Sequence, residues 1–205
     1  MDTVNHQNEK IEQYGNTPGE QDFEKAVNYC SSILQNCTHS VKYNALKVQY
    51  LLLSCQMKEA NKFTNELMNR ASMQDEPLIM AWRGRVMIYS GNTNTGKTML
   101  QNALQRQPDL KEAAIAIKMM RTSEVMKEQA GELFKANKID EAIKKFDECL
   151  ALDPYNLNYN STILLNKAIA LNKQGKNDDA LACLNRCLKM NPEYAKAYVK
   201  RGEVH

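Results

Sequence analysis

The chain has 205 residues, 43% of them hydrophobic, with 27 Lys and Arg against 24 Asp and Glu for a net charge of +3. That balance suits a well-packed chain of one or two domains and is too even to argue for nucleic acid, so any basic character that matters must be local. No apolar run approaches the roughly 18 residues of a membrane span, and the N-terminus MDTVNHQNEK lacks the basic-then-apolar layout of a secretory signal. The expectation is a cytoplasmic chain with no membrane or nucleic-acid partner.

Residues 1–20, with Gly15, Pro18 and Gly19, read as a frayed or degenerate first helix followed by a turn. From there one helix is written five times. EKAVNYCSSIL, KEANKFTNELM, NTGKTMLQNAL, DEAIKKFDECLALDP and DDALACLNRCLKMNP each place a small residue ahead of bulky apolar residues one and two turns later. The small residues are Ala26, Ala60, Gly96, Ala142 and Ala180, at steps of 34, 36, 46 and 38. A second helix precedes each of the last four. Its own small or slim residue, Val48, Gly84, Ala130 or Ala168, stands twelve positions upstream, where the paired helix must come close. Gly91, Asn137 and Gly175 fall in the turns between paired helices, at places that ask for left-handed backbone. Pro108, Pro154 and Pro192 follow the second helix of a pair, where a missing N–H ends it.

A step of 34 is the period of the tetratricopeptide repeat (TPR). The predicted fold is all-α: a right-handed TPR superhelix, an α-solenoid of antiparallel helix pairs whose first (A) helices line the concave face. The predicted organisation is the frayed segment at 1–20, a degenerate TPR group at 21–109, a long connecting helix at 110–136 that merges into the next helix A, and a second TPR group at 126–205. The connecting helix absorbs the excess of the 46-residue step, since LKEAAIAIKMMRTSEVMKEQAGELFK is rich in helix formers. A break near Thr122 or Ser123 is expected if the two groups pack independently, because β-branched and hydroxyl residues weaken a helix locally. The chain stops at KAYVKRGEVH, a helix A with no helix B after it, so a fragment of a longer protein is expected.

Residues 91–98, GNTNTGKT, match the phosphate-loop pattern GxxxxGK[ST], with Gly91, Gly96, Lys97 and Thr98 in the defining places. That chemistry needs a buried strand feeding the loop and a second acidic strand for magnesium, and neither is visible. The repeat already accounts for Gly91 as a turn and Gly96 as a close-approach site, so the nucleotide reading is set aside. Six cysteines show no CxxC pair and no His at ligand spacing; they read as small core residues, with Cys183 and Cys187, one helical turn apart, the one pair spaced for thiol or metal chemistry. His6, His39 and His205 are too scattered for catalysis. No cofactor, metal or catalytic residue is predicted: the chain reads as an interaction surface rather than an enzyme. Trp82, two residues before Gly84, reads as core in preference to an exposed peptide anchor.

From Val125 onward, VMKEQAGELFKANKIDEAIKKFDECLALDP and LLNKAIALNKQGKNDDALACLNRCLKMNPEYAKAYVKRG resemble the TPR modules of heat-shock co-chaperones. The text looks most like the second TPR module of the cytosolic J-domain co-chaperones that carry two TPR modules ahead of a J domain. In that family a two-carboxylate clamp grips the C-terminal Glu-Glu-Val-Asp tail of the seventy- and ninety-kilodalton chaperones. The resemblance implies the same partner here, with client proteins passed on or held. It places the peptide-binding residues at Lys127, Asn166, Lys196 and Lys200. Two departures weaken the clamp: Gly131 stands where the family has asparagine and offers no donor, and Lys200 stands where it has arginine, keeping the charge and losing the planar fork. The competing reading is a TPR scaffold subunit of a larger assembly that binds no chaperone tail.

Overall fold

The computed structural model describes residues 20–204, so the segment expected at 1–20 lies, but for Glu20, outside them. Every regular element among the described residues is an α-helix: α1 (Glu20–Asn36), α2 (Val41–Leu53), α3 (Met57–Met68), α4 (Pro77–Tyr89), α5 (Thr93–Arg106), α6 (Lys111–Lys135), α7 (Ile139–Leu152), α8 (Leu157–Lys173), α9 (Asn177–Met190) and α10 (Ala195–Val204). The chain divides into two compact units, one ending at Ile117 and one beginning at Lys118. Helices α1, α3, α5, α7 and α9 are the B helices of the sequence pattern, and α2, α4, α6, α8 and α10 the A helices.

Local chemistry starts and stops these helices. Ser40 and Asn156 cap α2 and α8, their side chains accepting from the backbone N–H of Tyr43 and Tyr159, and Pro77 opens α4. The turn from each helix A to its helix B is the same object four times. Its centre is Cys55, Gly91, Asn137 or Gly175, with φ of 57°, 90°, 61° and 74°. In each, the next residue's N–H reaches back five places: Gln56 to Leu51, Asn92 to Met87, Lys138 to Leu133 and Lys176 to Leu171, at 2.9–3.0 Å. These bonds satisfy carbonyls that the helix ending would orphan. Cys55 was not expected in this role, because cysteine carries no mark of left-handed backbone.

The small residues do what the pattern asked of them. Val48 and Ala60, Ala130 and Ala142, and Ala168 and Ala180 are all fully buried, and Gly84 approaches Gly96 so closely that neither has room for a β-carbon. Helix α6 runs through Thr122 and Ser123 without a break. The Ser123 hydroxyl donates to the Met119 carbonyl 2.9 Å away, staying within its own helix, and the Tyr159 hydroxyl donates to the Ser123 carbonyl. A hydroxyl bonded this way destabilises a helix only slightly. In the first unit, Ala113, Ala116 and Ile117 of α6 pack with Met80, Ala81, Leu100 and Ala103. Ala113 and Ile117 stand 34 residues after Ile79 and Arg83, so the first turns of α6 keep the period of the first unit. In the second unit Ala130 packs against Ala142 and Phe146 of α7. One helix thus serves as helix A twice, which is what the 46-residue step accommodates.

One further contact repeats. Helices α4, α8 and α10 each lay a stripe against the preceding helix B, five before, one before and two after the places of Gly84, Ala168 and Gly202. On α4 the stripe is Ile79, Arg83 and Val86; on α8, Ile163, Lys167 and Ala170; on α10, Ala197, Arg201 and Val204. The apolar outer members are buried, and the central cation reaches an acceptor at one constant place on the B helix: Arg83 to Asn65, Lys167 to Asp147, Arg201 to Asn185. Arg83 is 8% exposed, is also bonded to Asn61 and Thr64, and has no carboxylate partner among the described residues.

Candidate functional site

The four residues implicated by resemblance lie on the A helices of the second unit. Lys127 is on α6, three residues before Ala130; Asn166 is on α8, two before Ala168; Lys196 and Lys200 are on α10, six and two before Gly202. Lys127 and Lys196 are exposed and Asn166 half-buried, and none of the three has a side-chain partner among the described residues. Lys200 differs. Its ammonium lies 2.9 Å from the Glu203 carboxylate one turn further along α10. A carboxylate arriving at Lys200 shares the ammonium with one already there.

Position on the helix separates these groups from their neighbours. Lys167 and Arg201, each one residue after a candidate position, are rotated by about 100° and engaged with the B helices. Asn166 and Lys200 therefore face away from that contact. Gly131, where the family pattern asks for asparagine, has open space around it: a β-carbon there would meet nothing within 4 Å. The missing donor is absent for want of a side chain, since the site has room for one.

The structure adds a pair that sequence reasoning missed. The Lys173 ammonium lies 5.2 Å from the centre of the Phe134 ring, joining the C-terminal ends of α8 and α6. Lys173 is seven residues after Asn166 and Phe134 seven after Lys127, so each shares a face with that candidate residue. That spacing was the available signal. The stripe of Lys127 and Asn166 thus ends in a half-buried aromatic ring with a cation above it.

The other candidates resolve into packing. In GNTNTGKT, helix α5 begins inside the motif; the N–H groups of Gly91 and Gly96 are spent on the Ile88 and Asn92 carbonyls, and the Thr98 hydroxyl donates to the Asn94 carbonyl. Those groups are occupied within the turn and the helix. Trp82 is buried, with the Arg85 guanidinium 5.5 Å from its ring centre. Cys183 and Cys187 sit in the core of the second unit; the Cys187 thiol reaches the Ser161 carbonyl at 3.1 Å, and burial pushes its pKa up to about 11 and raises that of Cys183. Thiols held protonated in a core are poor nucleophiles and poor ligands.

Paired helices, left-handed turns and a repeating A-to-B stripe define a tetratricopeptide-repeat fold. The tetratricopeptide-repeat family model matches residues 161–194, which span most of α8, the following turn and α9. The chain is similar to two curated DnaJ homolog subfamily C member 7 homologs: that of Dictyostelium discoideum, 28% identical over 178 residues, and that of Schizosaccharomyces pombe, 29% identical over 160. These alignments cover 87% and 78% of this chain and 33% of each relative, so the chain spans about a third of their length. Among solved structures, the P58(IPK) TPR domain matches with a TM-score of 0.56 at 15% identity, covering 99% of this chain and 55% of that one. That likeness is one of fold.

Proposed function

We propose that the second unit is a peptide-binding module of a co-chaperone, without catalytic activity, and that it takes the acidic C-terminal tail of cytosolic seventy- and ninety-kilodalton chaperones. The DnaJ-homolog relatives support the setting, and one structural observation carries the site. Lys127, Asn166, Lys196 and Lys200 stand on three successive A helices, turned away from the faces that Lys167 and Arg201 use for packing. A tail ending in aspartate brings two carboxylates, its terminus and its side chain. Three ammonium groups and one amide are the donors that such a pair requires. Binding is weakened by the absent donor at Gly131 and by Glu203, which competes for Lys200.

The test is fluorescence anisotropy with a labelled peptide ending in Glu-Glu-Val-Asp, beside the same peptide with an amidated C-terminus. The free-acid peptide should bind, and more weakly as salt rises, while the amide should lose most of the affinity. Equal binding of the two peptides would remove the clamp.

The second reading, a scaffold subunit that binds no chaperone tail, is favoured by the Lys200–Glu203 pair and by Gly131. Absence of binding by the free-acid peptide would install it.

A further inference from the structure

The stripe that a helix A lays on the preceding helix B is covered on α8, by Phe146 and Cys149 of α7, and on α10, where Ala197 and Val204 share one core with Leu184 of α9. On the second half of α6 the same three places hold Val125, Gln129 and Glu132, and there the stripe is open. Val125 is 51% exposed, and Gln129 and Glu132 are exposed as well. With Glu128, Leu133 and Ala136 they wall a cleft of about 810 Å³, bounded on the α7 side by Lys138 and Lys145. Val125 and Gln129 lie about 160–200° around α6 from Lys127, so the cleft is separate from the proposed peptide groove.

We propose that this cleft receives an amphipathic α-helix of a partner protein, seated as a helix B would be and presenting Lys or Arg to Glu128 and Glu132. A helix is what covers the equivalent face of α8 and of α10, so the open face of α6 has the shape of a helix seat. Its charges fix the partner's chemistry. Where the covered stripes carry a central cation that meets an acceptor on the covering helix, α6 carries Gln129 between two glutamates, so the sign is inverted. Lys138 and Lys145 do not cancel it, since each is held by its own carboxylate, Glu141 at 3.5 Å and Glu148 at 2.8 Å. Glu132 shares its charge with exposed Lys135, while Glu128 has no ion-pair partner among the described residues. Val125, Leu133 and Ala136 supply the apolar floor that an amphipathic helix needs.

The probe is a helix-stapled peptide copying Ile139–Leu152, the helix that covers the equivalent stripe of α8, with Asp147→Lys to meet the glutamates. It is titrated into the full chain and followed by amide NMR, with the unsubstituted peptide as comparison. Saturable shifts should fall on Val125, Gln129 and Glu132, with the lysine peptide bound at least tenfold more tightly than the aspartate one. Glu132→Lys should reverse that order. Val125→Glu, at an exposed position, should leave far-UV circular dichroism unchanged and weaken binding at least tenfold. The proposal is overturned if no saturable shift appears at the cleft, or if Glu132→Lys leaves the order of the two peptides unchanged. It is overturned equally if sedimentation shows a dimer that Val125→Glu dissolves, which would make the occupant a second copy of this chain.

Discussion

Gly84 and Gly96 press their backbones together: a β-carbon on Gly84 would stand 2.9 Å from the Gly96 carbonyl oxygen, and one on Gly96 2.5 Å from the Gly84 carbonyl oxygen. Both atoms belong to backbone, so neither can swing aside. Gly96→Ala should destabilise the chain by about 1–3 kcal/mol, outweighing the roughly 1 kcal/mol that alanine gains over glycine in a helix. Urea unfolding reads this directly. The loss should be the same with and without millimolar Mg-ATP, since the glycine serves packing; a nucleotide-dependent difference would restore the phosphate-loop reading.

Cys55 occupies a turn position that Gly91 and Gly175 fill at no steric cost. With φ of 57°, its β-carbon crowds the following carbonyl, a strain of roughly 1–2 kcal/mol per residue. Cys55→Gly should raise the thermal midpoint, with a gain of about 0.5–1 kcal/mol after the greater flexibility of unfolded glycine is counted. Asn137→Gly should gain less, because asparagine tolerates this backbone. A fall in the midpoint for Cys55→Gly would mean that the cysteine side chain contributes more packing than the turn loses in strain.

Asn65→Asp would give the buried Arg83 guanidinium the carboxylate that Lys167 already has in Asp147. The pair should stabilise the first unit by about 1 kcal/mol near neutral pH, as the guanidinium exchanges a neutral amide acceptor for a carboxylate. A carboxyl beside a guanidinium has its folded pKa depressed below its unfolded value. The gain is therefore present above about pH 4, the unfolded value, and is lost as pH falls through the folded value. Unfolding curves of both proteins across pH 2–7 should converge at the acid end; a gain that persists at pH 2 would not come from the ion pair.

In the proposed groove, Lys196→Ala should weaken tail-peptide binding by about 1.5–3 kcal/mol without a change in stability, since Lys196 is exposed and has no partner among the described residues. Gly131→Asn should strengthen it, placing a donor in space that is already open. Glu203→Gln should strengthen it too, by freeing Lys200. If all three variants fold and bind the peptide as the parent does, the clamp is elsewhere or absent.

Much of this architecture was legible from residue spacing. Helix packing demands small residues where two axes cross, and those places recur wherever the repeat recurs, so Ala26, Ala60, Gly96, Ala142 and Ala180 declared the period. Three of the four turn centres declared themselves because glycine and asparagine mark left-handed backbone. Cys55 did not, since nothing in its chemistry asks for that conformation, and only the fourfold equivalence of the turns reveals it. Thr122 and Ser123 argued for a break in α6 that does not occur. A local weakness of a few tenths of a kcal/mol per residue is overridden when the helix is packed along its length and the hydroxyl finds a carbonyl one turn back.

The sequence by itself determined the class of fold, the pairing of helices and the places where chains must come close. These follow from side-chain size and backbone freedom, which are properties of single residues repeated at fixed intervals. Only the tertiary structure decided which cations are free. Lys127, Lys167, Lys196, Lys200 and Arg201 read alike on paper, but packing commits Lys167 and Arg201 to neighbouring helices and pairs Lys200 with Glu203. The open face of α6 was likewise invisible in sequence, because Val125 and Ile163 occupy the same place in the pattern. Whether such a residue is covered depends on what lies across from it in space, and that is a relation between helices which no single stretch of residues contains.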